Sequence, residues 1–305
     1  DGADAESEQA ARALGASTLV KEPAGPTNGA ALRWLVEQHP DLLSDCDAVV
    51  VLDVGSLLDS RFFEALTGSA LSPVMQAWLR GTGDGVGETA SLSERTAQEW
   101  QDRGRQVLGW SVQLRGTGMV MAPERLSELA PRLWTSVEDT EATLLLAAEG
   151  ERAVLTHSNA VVVDHKPSRV VDAARQRSRW LLGKLSLLVH RPRSIVHLLA
   201  RRPAEGVAFV CELLSRPFSI TAALRALLAA LFAADGFVGG GGWWSLAPAA
   251  LLALSLLSDL FLLRRATSIP WHRLLAIGFR LGLSWLGAIL LLPKALFGWV
   301  RARRR

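Results

Sequence analysis

CDAVVVLDVGS, residues 46–56, decides how the rest of the chain reads. Ala48 to Leu52 form an unbroken apolar run with no polar alternation, bounded by acidic residues. A run of that length without alternation suits a strand covered on both faces, as in a parallel sheet. It ends at Asp53, Gly55 and Ser56, and LDSRFFEALTG then takes up a helical pattern.

The pattern continues in both directions. Upstream, AESEQAARALGA reads as a helix closed by Gly15, STLVKE as a short strand, PAGPTNG as a loop and AALRWLVEQHP as a helix stopped by Pro40. Downstream, SPVMQAWLRG reads as a strand and GTGDGVGETAS as a glycine-rich loop. That loop lacks the Lys-Ser/Thr of a phosphate-binding P-loop. The helix LSERTAQEWQDRGRQVL leads to GWSVQLRGTGMVMAPERL, GERAVLTHSNAVVVDHKP supplies two more strands, and SRVVDAARQRSRWLLGKLSLLVH is a basic helix. Alternating strand and helix patterns predict an α/β fold with a mainly parallel sheet, in which ligands sit beyond the carboxyl ends of the strands. Asp53 lies at such an end.

Charge divides the chain. Up to Asp164 there are 12 Lys+Arg against 25 Asp+Glu; from His165 onward there are 21 against 5. The arginines of the second part flank apolar runs and do not interleave with exposed aromatics. That pattern points to anionic lipid and away from nucleic acid. Three runs, 216–237, 243–263 and 274–292, approach the ~20 residues needed to cross a bilayer. They predict a C-terminal transmembrane region, with a multi-pass location in the cell membrane and a cytoplasmic catalytic domain. Cys46 and Cys211 are too few for a disulfide framework or a metal site of the usual spacing, and the histidines show no metal-binding spacing.

The first part is rich in carboxylates at defined places: Asp53 at a strand end, and Glu138, Asp139 and Glu141 ahead of an apolar helix. Carboxylates without histidine suit the holding of a divalent cation and general-base attack by a hydroxyl. Gln176, Arg177, Arg179 and Trp180 would supply positive charge for a diphosphate leaving group. Plainer roles exist for each: Asp53 or Asp139 as a helix cap, the arginines as lipid contacts and Trp180 as an interfacial anchor.

The order of these elements resembles the family 2 membrane glycosyltransferases, which include the cellulose, chitin and hyaluronan synthases. Asp1 precedes the helix ending ARALGA, AVVVLDVGS stands at the family's Asp-x-Asp, VQLRGTGMVM and VEDTE follow, and QRSRW fits Gln-x-x-Arg-Trp. The resemblance covers nearly the whole chain. It implies a GT-A-like domain over 1–185, N-terminally incomplete by its first strand, then basic interfacial helices over 186–215 and a transmembrane region over 216–305. It also implies transfer of a sugar, with inversion and no covalent intermediate, from a nucleotide-sugar such as a UDP-sugar to a glycan or lipid acceptor, with membrane lipids as further partners.

The roles implied by the resemblance are specific. Asp1 would contact the base. Asp53 would contact the sugar-diphosphate and a Mg or Mn ion. Asp139 would be the general base, with Gln176, Arg179 and Trp180 steadying the diphosphate and acceptor. Gly116, Thr117, Gly118 and Glu138 would line the acceptor side. Two positions depart from the family: Gly55 brings no second carboxylate, and Asn28-Gly29 stand where the family carries a lysine between glycines. A catalytically impaired or inactive homologue acting as a membrane-bound binding or scaffold subunit is the alternative reading.

Overall fold

The computed structural model describes residues 5–21, 27–67, 72–84, 86–214, 218–267, 272 and 290–291. Asp1, and all of the predicted 274–292 span except Leu290 and Leu291, lie outside them.

Helix α1 (Ala5–Ala13) is followed by Gly15 at φ +84°, as the sequence predicts. Residues 17–21, expected as a strand, have no regular structure. Helix α2 (Asn28–Gln38) is capped by Thr27, whose hydroxyl accepts from the Ala30 N–H at 3.1 Å. A short α3 (Asp41–Ser44) leads to β1 (Val49–Val51). Then come β2 (Leu57–Leu58), α4 (Phe62–Thr67), β3 (Val74–Gln76) and β4 (Trp78–Thr82).

A continuous helical stretch follows: α5 (Val86–Thr96), a π-helical segment (Ala97–Asp102) and α6 (Arg103–Val107). The helix starts within the glycine-rich stretch expected to be a loop. A Cβ at Gly83 or Gly87 would lie 2.8 or 3.0 Å from the Lys166 carbonyl oxygen, so these glycines serve a close backbone approach. Strand β5 (Met119–Met121), α7 (Pro123–Leu129), α8 (Glu138–Glu149), β6 (Val154–Leu155) and β7 (Val161–His165) complete the sheets. Helices α9 (Val170–His190), α10 (Pro192–Arg201), α11 (Pro203–Leu214), α12 (Phe218–Phe237) and α13 (Trp243–Thr267) follow.

The expected mainly parallel sheet is corrected to two mixed sheets. One has the order β1-β5-β3-β6, with β5 antiparallel to both β1 and β3, and β3 parallel to β6. The other has the order β2-β7-β4, with β2 antiparallel and β4 parallel to β7. VVV and MVM are apolar throughout and VMQ is apolar up to the buried Gln76, and an unpatterned run reports burial without direction. The turn ahead of β5 sets its direction. Because β1, β3 and β6 still run the same way, their carboxyl ends share one edge. The continuous segment 74–82 changes sheet at Ala77, whose N–H donates to the Gly118 carbonyl at 2.8 Å; the next N–H, of Trp78, donates to Ala160.

Helix α8 is central. One side, Ala142, Leu145 and Leu146, packs with Val74, Leu114, Met119 and Met121 of the sheet core. The other, Leu144, Ala147 and Ala148, packs with Leu187, Ile195, Leu198 and Phe209 of α9–α11. A helix buried on both sides reads as apolar all round. Each fully buried leucine contributes about 1.5–3 kcal/mol of transfer free energy.

The C-terminal expectation is also corrected. Helices α12 and α13 form a hairpin, but among the described residues no helix is long and apolar enough to cross a membrane. Both helices carry polar contacts: Arg225 donates to Ser255 at 2.7 Å and Ser245 donates to Asp235, and Pro248 lies inside α13. This finding overturns the predicted transmembrane region and the multi-pass cell-membrane location, although Trp243 and Trp244 at the start of α13 are exposed.

Candidate functional site

The site forms at the shared carboxyl edge of β1 and β3. Past β1, the Ser56 N–H donates to the Asp53 carbonyl at 3.0 Å, and Gly55 sits at φ +89°. Positive φ at the third position of such a turn favours glycine. Gly55 therefore serves the turn that presents Asp53.

Residues 115–118 wrap around the buried Gln76 side chain. Gln76 Oε1 accepts from the Arg115 N–H at 2.9 Å, and Nε2 donates to the Thr117 carbonyl at 2.9 Å. Gly116 and Gly118 have φ of +76° and +68°. A Cβ on Gly118 would meet Val162, Ala77 and Leu79 within 3.2 Å, so this glycine is required by space as well as conformation. The buried Thr117 hydroxyl accepts from the Asp53 N–H at 3.2 Å and pairs with the Ser56 hydroxyl at 2.9 Å. Thr117 thus braces the strand-end turn from beneath.

The first turn of α8 brings the acidic pair to the same place. A Cβ on Gly116 would be 3.7 Å from Asp139 Oδ2 and 3.9 Å from Glu138 Oε1, so both carboxyls converge on that turn. Several contacts fix α8 there. Gln113 Nε2 donates to Thr140 Oγ1 at 3.2 Å, and the Leu114 N–H donates to Thr143 Oγ1 at 3.1 Å. The fully buried Glu141 accepts from the N–H groups of Trp134 and Thr135, each at 2.8 Å, and from Arg191 Nε at 2.6 Å. Glu141, read from sequence as part of an acidic cluster, is a structural anchor. Gly183 lets α9 lie against the preceding loop; a Cβ there would be 2.6 Å from Val137 Cγ1.

Electrostatics separate the carboxyls. Burial pushes Glu138 up from 4.5 to about 7; Asp139 and then Asp53 add to the rise, while Asn28 opposes it by hydrogen-bonding the charged form. Burial also raises Asp139, but the Thr140 N–H at 2.6 Å, the Thr140 hydroxyl, Lys184 and Arg115 favour its anion. Asp53 is raised by burial and by Asp164, with Arg179 and Lys166 acting against the rise.

Helix α9 carries the predicted basic motif. Arg179 is exposed and Trp180 is 38% exposed, and Arg179 acts on Asp53 across the site. Gln176 is half-buried on the same helix. Arg177 turns inward, and burial pulls its guanidinium down to about 10. The structure therefore brings Glu138 and Asp139 to the Gly116 turn and Asp53 to Thr117 of the same turn, with Arg179 near enough for its charge to act on Asp53.

Sequence reasoning missed Lys166, Arg115 and Lys184. Lys166 pairs with Asp164 at 2.5 Å and Glu94 at 2.8 Å. Burial works against its charge, but the two carboxylates outweigh burial and hold its pKa above the ordinary value. No local motif marks these cations: Arg115 lies just before β5, Lys166 just after β7 and Lys184 on α9.

The described residues do not fit a Mg or Mn site. Asp53 stands as a single carboxylate, Gly55 adds none, Asp164 is engaged with Lys166, and no group of three or more metal-binding side chains converges among the described residues. A small apolar recess lined by Asp47, Pro73, Met75 and Met121 lies at the other end of the strands and holds none of the site carboxylates.

The chain matches no protein-family model and no curated protein.

Proposed function

We propose that the chain is an inverting glycosyltransferase acting on a nucleotide-sugar, a UDP-sugar in the first instance, with a hydroxyl of a glycan or lipid as acceptor. The observation that supports this most is the convergence of Glu138 and Asp139 on the Gly116 turn, with Asp53 at the neighbouring strand end within reach of the Arg179 charge.

In this reading Asp139 takes the proton of the acceptor hydroxyl, and that oxygen attacks the anomeric carbon. The bond from the anomeric carbon to the diphosphate oxygen breaks as the new bond forms, and the nucleoside diphosphate leaves with the electron pair. Arg179 supplies positive charge to the leaving group, with Gln176 and Trp180 on the same helix lining its path. A general base in position contributes typically ~10²–10⁴-fold.

The test is transfer from a panel of UDP-sugars to glycan acceptors, followed by release of UDP. Product is expected with wild type, and Asp139→Asn should lower turnover by about a thousandfold while donor affinity changes little. Unchanged turnover in that variant would remove Asp139 as the base. A non-catalytic binding subunit is the second reading. The metal-poor donor side favours it: Gly55 belongs to a turn and brings no ligand. UDP binding without turnover for any donor would decide for it.

A further inference from the structure

The residues just ahead of the Gly116 turn reach the first turn of α8 through a chain of hydrogen bonds. Gln113 Nε2 donates to Thr140 Oγ1 at 3.2 Å, and the Leu114 N–H donates to Thr143 Oγ1 at 3.1 Å. Thr143 in turn donates to the Asp139 carbonyl at 2.9 Å. Asp102, the last residue of the π-helical segment, holds this strip from behind: it accepts from the Gln113 N–H at 3.1 Å and from the Arg115 guanidinium. Asp102, Gln113 and Thr140 are all buried, whereas Asp139 is only half-buried.

The strip treats the two carboxyl oxygens of Asp139 differently. Oδ1 accepts from the Thr140 N–H at 2.6 Å and from the Thr140 hydroxyl at 3.2 Å. A carboxylate is a stronger acceptor than an amide oxygen, so the Thr140 hydrogen goes to Asp139 and Gln113 presents its N–H to Thr140. Oδ2 receives no donor among the described residues, and it is the Asp139 atom nearest the Gly116 turn, 3.7 Å from where a Cβ on Gly116 would lie.

We propose that Gln113 and Thr140 are positioning residues for Asp139: they engage Oδ1 and leave Oδ2, on the side of the Gly116 turn, as the oxygen that takes the acceptor's proton. The acceptor itself rests on the transferase reading, but the orientation does not depend on turnover. The proton passes from the acceptor hydroxyl to Oδ2, and the electron pair of that O–H bond stays on the acceptor oxygen for its attack on the anomeric carbon. Thr140 keeps its own proton throughout. Without its hydroxyl the carboxyl is freer to turn, and fewer encounters have the geometry for attack.

The first arm of the test needs no donor sugar. It is a titration of the full chain carrying ¹³C-labelled aspartate carboxyls, with Asp139→Asn assigning the signal. Thr140→Val keeps the side chain's shape and should raise the Asp139 midpoint by about one pH unit, because a bond to the charged form is lost. The charged groups facing Asp139, which are Lys184, Arg115 and Glu138, stay in place. Thr140→Ser should keep the wild-type midpoint. Gln113→Met should move it in the same direction by less, because the amide no longer polarises the hydroxyl. The second arm is transfer from a UDP-sugar. There Thr140→Val should lower kcat about tenfold with KM unchanged, and shift the acid limb of the pH profile upward. An Asp139 midpoint unmoved by Thr140→Val or by Gln113→Met overturns the proposal, since loss of a merely structural contact would alter stability and leave the titration in place. The expected titration in a chain that transfers no sugar keeps the orientation and removes the transferase reading.

Discussion

Two sets of buried carboxylates are treated in opposite ways. Glu141 receives two backbone N–H groups and the Arg191 guanidinium. Asp102 receives the Gln113 N–H at 3.1 Å and the Arg115 guanidinium. Each anion is met by bonded partners, and each ties one element to another. Glu138, one turn before Glu141, has no bonded cation among the described residues: it faces two further carboxylates and is held by an amide. Burial without a matched counter-charge destabilises, and it is tolerated where the shifted protonation serves the chemistry. Within a single helical turn the chain therefore separates carboxylates that hold the fold from carboxylates left available to a ligand.

The comparison breaks most readily at Arg191. Arg191→Ala leaves Glu141 buried with its charge uncompensated, and removing one partner of a buried pair costs about 3–5 kcal/mol. Arg191 is partly exposed, so about 3 kcal/mol is expected, read as a lowered denaturation midpoint. A loss near zero would mean that Glu141 anchors α8 through the backbone alone. The paired change Arg191→Met with Glu141→Gln should recover part of the loss, because no buried charge is then left without a partner.

Glu138 should respond in the reverse sense. A carboxyl that titrates at about 7 in the fold and near 4.5 in the unfolded chain binds more protons when native between those values. Its contribution is fully present below 4.5 and is lost as pH rises through 7. Glu138→Gln removes that dependence. The variant should match wild type near pH 4 and exceed it by roughly 2 kcal/mol at pH 8, read from denaturant unfolding at both values. Equal stability at pH 8 would place Glu138 among the paired carboxylates and erase the distinction.

These contrasts were only partly legible in the sequence. The strand-end position of Asp53, the acidic first turn of α8 and the basic face of α9 follow from local pattern, because periodicity, caps and glycine punctuation are local properties. The direction of β5 is not local. It depends on Gly116 and Gly118 turning around the side chain of Gln76, about forty residues earlier. The difference between Glu138 and Glu141 is likewise invisible in VEDTE, since it is made by Asn28 and Arg191, far away on either side. The apolar runs of α12 and α13 illustrate another limit: composition alone reads them as spans, whereas in the structure they pair as a hairpin that carries Arg225, Asp235 and Pro248, and no helix among the described residues is long and apolar enough to cross a membrane.

The smallest effect expected concerns Gly55, where family pattern and local backbone disagree. Pattern alone says that Gly55→Asp restores a second carboxylate and with it metal-dependent donor binding. The backbone says otherwise. Gly55 has φ +89°, and a Cβ there would meet nothing within 4 Å, so a new side chain fits in space but is strained in conformation. Aspartate tolerates this region better than most residues, and the cost should be about 1 kcal/mol, with Gly55→Ala costing slightly more. The added carboxylate would sit on the open side of the turn. Titration with Mg²⁺ or Mn²⁺ should therefore show no gain in UDP affinity over wild type. A clear gain would mean that the turn at Asp53 already holds half of a metal site, and that the donor side, like the acidic pair across from it, was left short of partners for a ligand to supply.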